Sequence, residues 1–423
     1  MEQSTVALII VLVAAICFVT RIIPFAVTAV GASLAMAIAG IISFPTAFAG
    51  FSSDVTIMVI GASIVGDAIF ETGAAQILGS TLLKLCGNSE RRFLLVTITV
   101  SAIASAFTSN LAVVMMFLPI ASAAAASSGG LITKKNTYMA IGFASMIGGG
   151  LTLVGSPPNL IGQGFLINAG LEPMQFFDLA LMGLPRFIAF IIFYATFGYG
   201  LQKRVFNFPE EIPELPASSE NEIAKPVNSF KVWLPVLIMA AMVVAFISQL
   251  WTTGACAMVA GLLCIVTGCI PVKKAFTEMD WTTVWVLAGG LGFATGITQS
   301  GAGELIALTV ISWFGANLSF FTLLVALTVV GVLLVNLITA STVILMLTPI
   351  ALTICTEMGY DGKSMVMALV MILNLPFINP VAMAPVTATL PGGYRFSDYV
   401  KVGGILTVIM MIVTIATFYF MYA

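Results

Sequence analysis

The residues of this 423-residue chain that could do chemistry carry hydroxyls, carboxamides and irregular backbone rather than acid–base groups. There is no histidine, which excludes imidazole ligation and histidine proton transfer. Six cysteines (Cys17, Cys86, Cys256, Cys264, Cys269 and Cys355) are scattered through apolar runs without a CxxC pair. That argues against a disulfide framework or a zinc site and reads as small core residues. The polar groups gather in three places: the tip Thr108, Ser109, Asn110, the stretch Thr339 to Thr342, and the run "GGGLTLVGSPPNLIGQGFL" from Gly148 to Leu166. In that run Pro157 and Pro158 enforce unwinding, while Gly155, Ser156 and Asn159 bring backbone and small oxygens close. Amides freed at a half-helix N-terminus suit a carboxylate, and freed carbonyls suit a small hard cation such as sodium.

The elements that must position these groups are membrane helices. Hydrophobic residues make up 60% of the chain and charged residues 8%, and the mean hydropathy is +1.12. Such a composition does not belong to a soluble domain. Spans are expected near 4–20, 24–42, 55–70, 138–168 (interrupted), 184–201, 232–250, 254–272, 281–298, 364–389 (interrupted) and 400–422. The first reads as a retained helix rather than a signal peptide, because Glu2 leads it and Arg21 follows it. Residues 93–126, if one helix, would be about 50 Å long, too long for one crossing and too short for two. A re-entrant hairpin with its tip at Thr108 to Asn110 fits better, and 318–356 is a second candidate for one.

These parts recur in order. "DVTIMVIGASIVGDAIFETGAAQIL" from Asp54 is echoed from Asp280, "FTSNLAVVMMFLPIA" by "LITASTVILMLTPIA", and "EPMQFFDLALMGLP" by "GYRFSDYVKVGGIL". The expected fold is an all-α polytopic membrane protein of about 10–12 spans, built as two repeats that each hold a hairpin and a broken helix. Residues 1–50 form scaffold helices, 51–201 the first repeat, 202–231 a cytoplasmic linker rich in Pro, Glu and Ser, and 232–423 a scaffold helix and the second repeat. With the linker inside and 74–90 and 302–316 interfacial, 14 of the 16 Lys and Arg residues fall on the cytoplasmic side, leaving Arg186 and Lys363 outside. On that map the hairpins open to opposite faces, so the repeats are inverted.

Among the acidic residues, Asp67 and Glu71 lie four apart on one helix face, as a proton relay would, or as a helix end at the headgroups would. Asp54 and Asp280 read as caps of the helices they open, and Glu304 reads as interfacial. Trp233, Trp251, Trp281 and Trp285 suit the aromatic belt. With no Lys or Arg expected in the core, anion recognition would rest on hydroxyls, amides and helix ends.

On these motifs the sequence resembles the divalent anion/sodium symporters, which carry dicarboxylates, citrate or sulfate, from about Asp54 to the C-terminus apart from the linker. Ser109 and Asn110, with Pro119 and Ile120 nine or so residues on, match the family's first hairpin signature. Gly155, Ser156, Pro157, Pro158 and Asn159 match its first unwound turn. Ser105 matches a serine at its first sodium site. The resemblance implies a sodium site from Ser105, Ser109, Asn110, Gly155 and Asn159. It also implies a substrate site from Ser109, Asn110, Ser156, Pro157, Thr339, Ser341, Pro385 and Thr387. The second repeat departs from the pattern, with Ala340 where the second asparagine would stand, Val386 in the second turn, and Leu111 in place of the first tip's threonine. The family further implies a homodimer whose hairpins and broken helices move together.

The expected activity is secondary active transport of a small anion, sodium-coupled di- or tricarboxylate uptake by an elevator-type motion, in a plasma or inner cell membrane. A sodium-independent exchanger and a proton-coupled carrier of sulfate- or arsenite-like anions are the alternatives, and an intramembrane enzyme is a distant one. The expected partners are the bilayer, the anion and a second copy of the chain, and no nucleic acid.

Overall fold

The computed structural model describes residues 2–20, 22–72, 89–128, 130–209, 229–305, 308–309 and 319–422. Most of the linker, residues 74–88 and much of 302–316 therefore lie outside the described residues. The described chain is helical: α1 (Gln3–Thr20), α2 (Phe25–Ile38), α3 (Phe44–Phe48), α4 (Asp54–Glu71), α5 (Glu90–Ser105), α6 (Asn110–Ser127), α7 (Lys134–Gly149), α8 (Pro157–Asn168), α9 (Ala180–Phe193) and α10 (Tyr199–Val205). The second half comprises α11 (Ser229–Ile247), α12 (Thr253–Val266), α13 (Val272–Thr277), α14 (Trp281–Gln299), α15 (Phe320–Val335), α16 (Ala340–Met358), α17 (Gly362–Leu373), α18 (Ala384–Thr387) and α19 (Phe396–Tyr422). Among the described residues there is no strand. Among the described residues, five helical stretches are long and apolar enough to cross a membrane: 3–20, 44–69, 180–205, 340–358 and 396–421. Shorter apolar helices, α2, α11, α12, α15 and α17 among them, lie between these. The chain is an all-α polytopic membrane protein.

Local chemistry explains where these helices start. Ser89 accepts from Arg92 N at the head of α5, Thr252 from Ala255 N at α12, Ser319 from Thr322 N at α15, and Asp361 from Lys363 N and Ser364 N at α17. Asp280 caps its own helix through Thr283 N, as expected. Asp54 departs from expectation. Its carboxylate accepts from Thr253 Oγ1 at 2.8 Å and Gly254 N at 3.0 Å, so it caps α12, about 200 residues on, instead of α4.

That bond belongs to a reciprocal arrangement. α4 packs on α12, and α2 packs on α14. A Cβ at Gly61 would run into the backbone of Ala257 and Met258, and one at Gly289 into that of Ala29 and Val30. Gly61 and Gly289 are 228 residues apart, and so are Ala29 and Ala257, and Val30 and Met258. Each half therefore presents the same small-residue groove to the other half's helix, the pattern a two-fold relation generates. Glycine allows backbones to meet at van der Waals distance, which drives helix association where lipid removes the hydrophobic difference.

α5 and α6 turn back on one another through 106–109, and α15 and α16 through 336–339. Buried Glu90, at the head of α5, accepts from Thr133 N at 2.9 Å, Asn136 Nδ2 at 3.0 Å and Tyr199 OH at 2.5 Å, pinning α5 to the head of α7 and to α10. Glu71 is half exposed and ion-paired with Lys274, which also faces Glu278 at 3.6 Å. This pairing suits a helix end at the headgroups. The four tryptophans considered above are exposed on the helix flanks.

Candidate functional site

Helix is interrupted twice in the interior, at 150–156 between α7 and α8 and at 374–383 between α17 and α18. At the first interruption Gly148 lets α7 lie against the backbone of Ala102 in α5. A Cβ at Gly149 would stand 2.6 Å from Asn110 Oδ1 and 2.9 Å from the Gly155 carbonyl oxygen, so only glycine leaves room for the tip of the first hairpin.

The Asn110 carboxamide enters that space. With its oxygen toward Ser105 it accepts the Ser105 hydroxyl at 2.6 Å, and its nitrogen lies 3.6 Å from Met146 Sδ. Turned by half a rotation, its nitrogen donates to Ser105 Oγ at 2.6 Å, Gly155 O at 2.9 Å and Ser145 O at 3.1 Å. In either orientation one end of the amide is surrounded by uncharged oxygens of Ser105, Ser145 and Gly155, all buried. With the Asn110 oxygen turned inward, the set is made only of neutral oxygens, which fits a monovalent hard cation; with the nitrogen inward, the amide itself satisfies them. Among the described residues there is no group of three or more His, Cys, Asp or Glu that could hold a metal ion. Of the five residues expected at the sodium site, Ser105, Asn110 and Gly155 meet here. Ser109 is exposed at the N-cap of α6, with no side-chain cap bond. Asn159 is engaged elsewhere.

Asn159 donates to Gly149 O and Thr152 O, both at 2.8 Å, and so ties off two carbonyls freed by the first interruption. Its oxygen accepts from Asn374 Nδ2 at 3.2 Å, and Asn374 Oδ1 accepts from Ser156 Oγ at 2.9 Å. Ser156, Asn159 and Asn374 are all essentially inaccessible to solvent. Asn374 closes α17, so this three-residue network joins the two interruptions. Sequence reasoning passed over Asn374, although an amide in the apolar run "MVMALVMILNLPF" was a usable signal.

The second half is built differently. Thr339 caps α16 by position and shares a 2.9 Å hydroxyl bond with Thr342, Ala340 is buried, and Ser341 is half-buried. The amide missing at Ala340 is supplied from the other arm of the hairpin. Asn336 Oδ1 accepts from Ile378 N at 3.0 Å and Asn379 N at 3.3 Å, and Asn379 Nδ2 donates to Asn336 O at 2.8 Å. These bonds tie the second tip to the second interruption. Thr387 bonds back to Pro380 O at 2.6 Å, and Pro385 is buried at the start of α18, its carbonyl near Gly142 of α7. Pro157 opens α8 half-buried.

Arg186 corrects one expectation, that of a core without Lys or Arg. It is 1% exposed in α9, and its Nη1 donates to Met371 O at 2.9 Å in the last turn of α17. Its position in the apolar run "LMGLPRFIAF" was the overlooked signal. Lys363 is ion-paired at the head of α17 with Glu172 at 2.7 Å and Asp178 at 3.0 Å.

Comparison with known proteins places this architecture. A family model described as "Citrate transporter" matches residues 15–330 and 243–423. An uncharacterized transporter of Escherichia coli, YfbS, is 30% identical over 181 residues, 43% of this chain and 29% of its own length, so the chain spans under a third of that relative. The "Sodium-dependent high-affinity dicarboxylate transporter 3" of Caenorhabditis elegans is 24% identical over 469 aligned positions, covering 96% of this chain and 81% of that protein. The structure of Neisseria gonorrhoeae MtrF, from a class of antimetabolite efflux pumps, aligns with a TM-score of 0.63 at 13% identity over 88% of this chain and 81% of that one. At that identity the likeness speaks to fold alone. With helix interruptions meeting in a buried polar core and a family match spanning nearly its whole length, the chain belongs to the citrate transporter family and is a membrane transporter, not an enzyme.

Proposed function

We propose that the protein is a secondary active carrier of di- or tricarboxylate anions, coupled to sodium, working by alternating access. The observation that carries this reading is the Ser156–Asn374–Asn159 network. Irregular backbone at membrane depth is tolerated only where it is buried in protein or lines a polar cavity, and here two such stretches are cross-linked at one place. Sodium would be held by Ser105, Asn110 and the Gly155 carbonyl, where it supplies positive charge beside the anion. The anion would lie between Ser109, Asn110, Ser156 and Pro157 of the first half and Thr339, Ser341, Pro385 and Thr387 of the second. Several neutral donors, each contributing about 0.5–1.5 kcal/mol, give an affinity low enough for release.

In this reading the repeats are inverted and the hairpins re-entrant from opposite faces. Hairpins and broken helices move as a unit within a homodimer in a cell membrane, with residues 202–231 on the cytoplasmic side. The reciprocal packing of Gly61 and Gly289 supports a two-fold relation between halves. Succinate uptake into proteoliposomes tests the coupling: uptake should collapse when sodium is replaced by potassium or choline, and unchanged uptake would exclude symport. A second reading, sodium-independent exchange, is favoured by Ala340 and Val386, because the second half's amides, Asn336 and Asn379, are spent on backbone partners. It requires uptake driven by internal anion in the absence of sodium.

A further inference from the structure

The guanidinium of Arg186 is the only cationic head among the described residues that is both fully buried and absent from every ion pair. Only one of its three nitrogens is engaged. Nη1 donates to Met371 O at 2.9 Å and lies 3.1 Å from Met371 Sδ, while Nε and Nη2 have no hydrogen-bond partner. These two nitrogens share one edge of the planar group, the edge that grips a carboxylate through two parallel N–H···O bonds. The head is also held in place. Met371 lies in the last turn of α17, where the helix dipole is negative and a cation is favoured. On α9, Gly183 abuts the Gly150 carbonyl, and the Met371 sulfur lies against Gly150. Arg186 thus shares the Met371 carbonyl with Asn374 N, which donates to it at 3.3 Å, and its bidentate edge is unsatisfied. A buried cation without a counter-charge is strongly unfavourable unless something anionic completes it.

We propose that Arg186 binds one carboxylate of the transported anion, side-on through Nε–H and Nη2–H, giving the site a fixed positive charge that the hairpin tips lack. This deepens the carboxylate-carrier reading and rests on it. The contrasting role is a purely structural one, in which the guanidinium only caps α17.

Arg186→Lys separates the two roles, because it keeps the charge and a donor for Met371 O but has no fork. The full-length protein, purified in detergent, is titrated with succinate, citrate and sulfate at fixed sodium while its thermal midpoint is followed. In Arg186→Lys the sodium-induced shift should persist, and the succinate concentration for half-maximal shift should rise about tenfold or more. An equal succinate response in variant and wild type would overturn the role of Arg186 and leave the carrier reading standing. No response of the wild type to any of the three anions would overturn both. If the variant does not fold, wild-type protein labelled with 15N-arginine gives the answer. The slowly exchanging Nε–H resonance of the buried arginine should move downfield on adding succinate, and a resonance that stays put while the thermal midpoint responds sinks the proposal.

Discussion

Ser156 and Asn374 stand 218 residues apart in sequence and are joined by a hydrogen bond of 2.9 Å in the interior of the molecule. Through the second bond from Asn374 to Asn159, the start of α8 and the end of α17 become one polar unit. These two bonds tie the first interruption directly to the second.

Asn374→Ala should therefore uncouple the halves. It removes the partner of Ser156 and of the Asn159 oxygen, leaving two buried polar groups unsatisfied at about 1–3 kcal/mol each. The expected outcome is a lower thermal midpoint and uptake reduced about tenfold or more in folded protein, read by size-exclusion chromatography and proteoliposome assay. Uptake within twofold of wild type would show that the network is not part of the transport path.

Asn110→Ala should act on the cation. It removes the amide from among Ser105, Ser145 and Gly155 without touching the α8–α17 bridge. The sodium concentration for half-maximal succinate uptake should rise about tenfold or more, with a smaller change in maximal rate at saturating sodium. A variant with unaltered sodium dependence would place the coupling ion elsewhere.

The reciprocal glycines give a matched pair. A side chain at either position meets main chain, Val30 N lying 2.6 Å from a Cβ at Gly289, so Gly61→Val and Gly289→Val should both destabilise the protein, by about 1–3 kcal/mol or more. Similar falls in thermal midpoint are expected if the two contacts are equivalent. A large loss from one and none from the other would contradict the two-fold relation.

Glu71→Gln tests the proton-relay reading. Glu71 faces Lys274 at a half-exposed position, and such pairs contribute about 0–1 kcal/mol. The hydrogen bond to Glu71 holds the Lys274 ammonium above its ordinary value of 10.5. Because that pKa is raised on folding, the contribution is complete below 10.5 and is lost only as pH climbs through the higher folded value. Uptake by the variant should match wild type across about pH 6 to 8. A loss of pH dependence together with activity would return Glu71 to the mechanism.

Several features were open to reading from the chain alone because they follow from local rules. Uninterrupted apolar runs had to be membrane helices, and paired prolines with glycines had to end helix around Gly155, since proline has no N–H to continue the ladder. Ser105, Asn110 and Gly155 stood out as oxygen donors beside such ends, and the repeated segments announced two related halves. Tertiary structure alone decided which groups pair across those halves. Asp54 caps α12 instead of its own helix, Asn374 bridges to Ser156 and Asn159, Asn336 takes over from the amide absent at Ala340, and Arg186 turns inward to Met371. In each case the side chain carries no mark of its partner, because one charge or amide in an apolar run can end at the lipid surface or in the core with the same neighbours in sequence. The choice belongs to contacts made some 40 to 220 residues away, where burial obliges every polar group to find a partner.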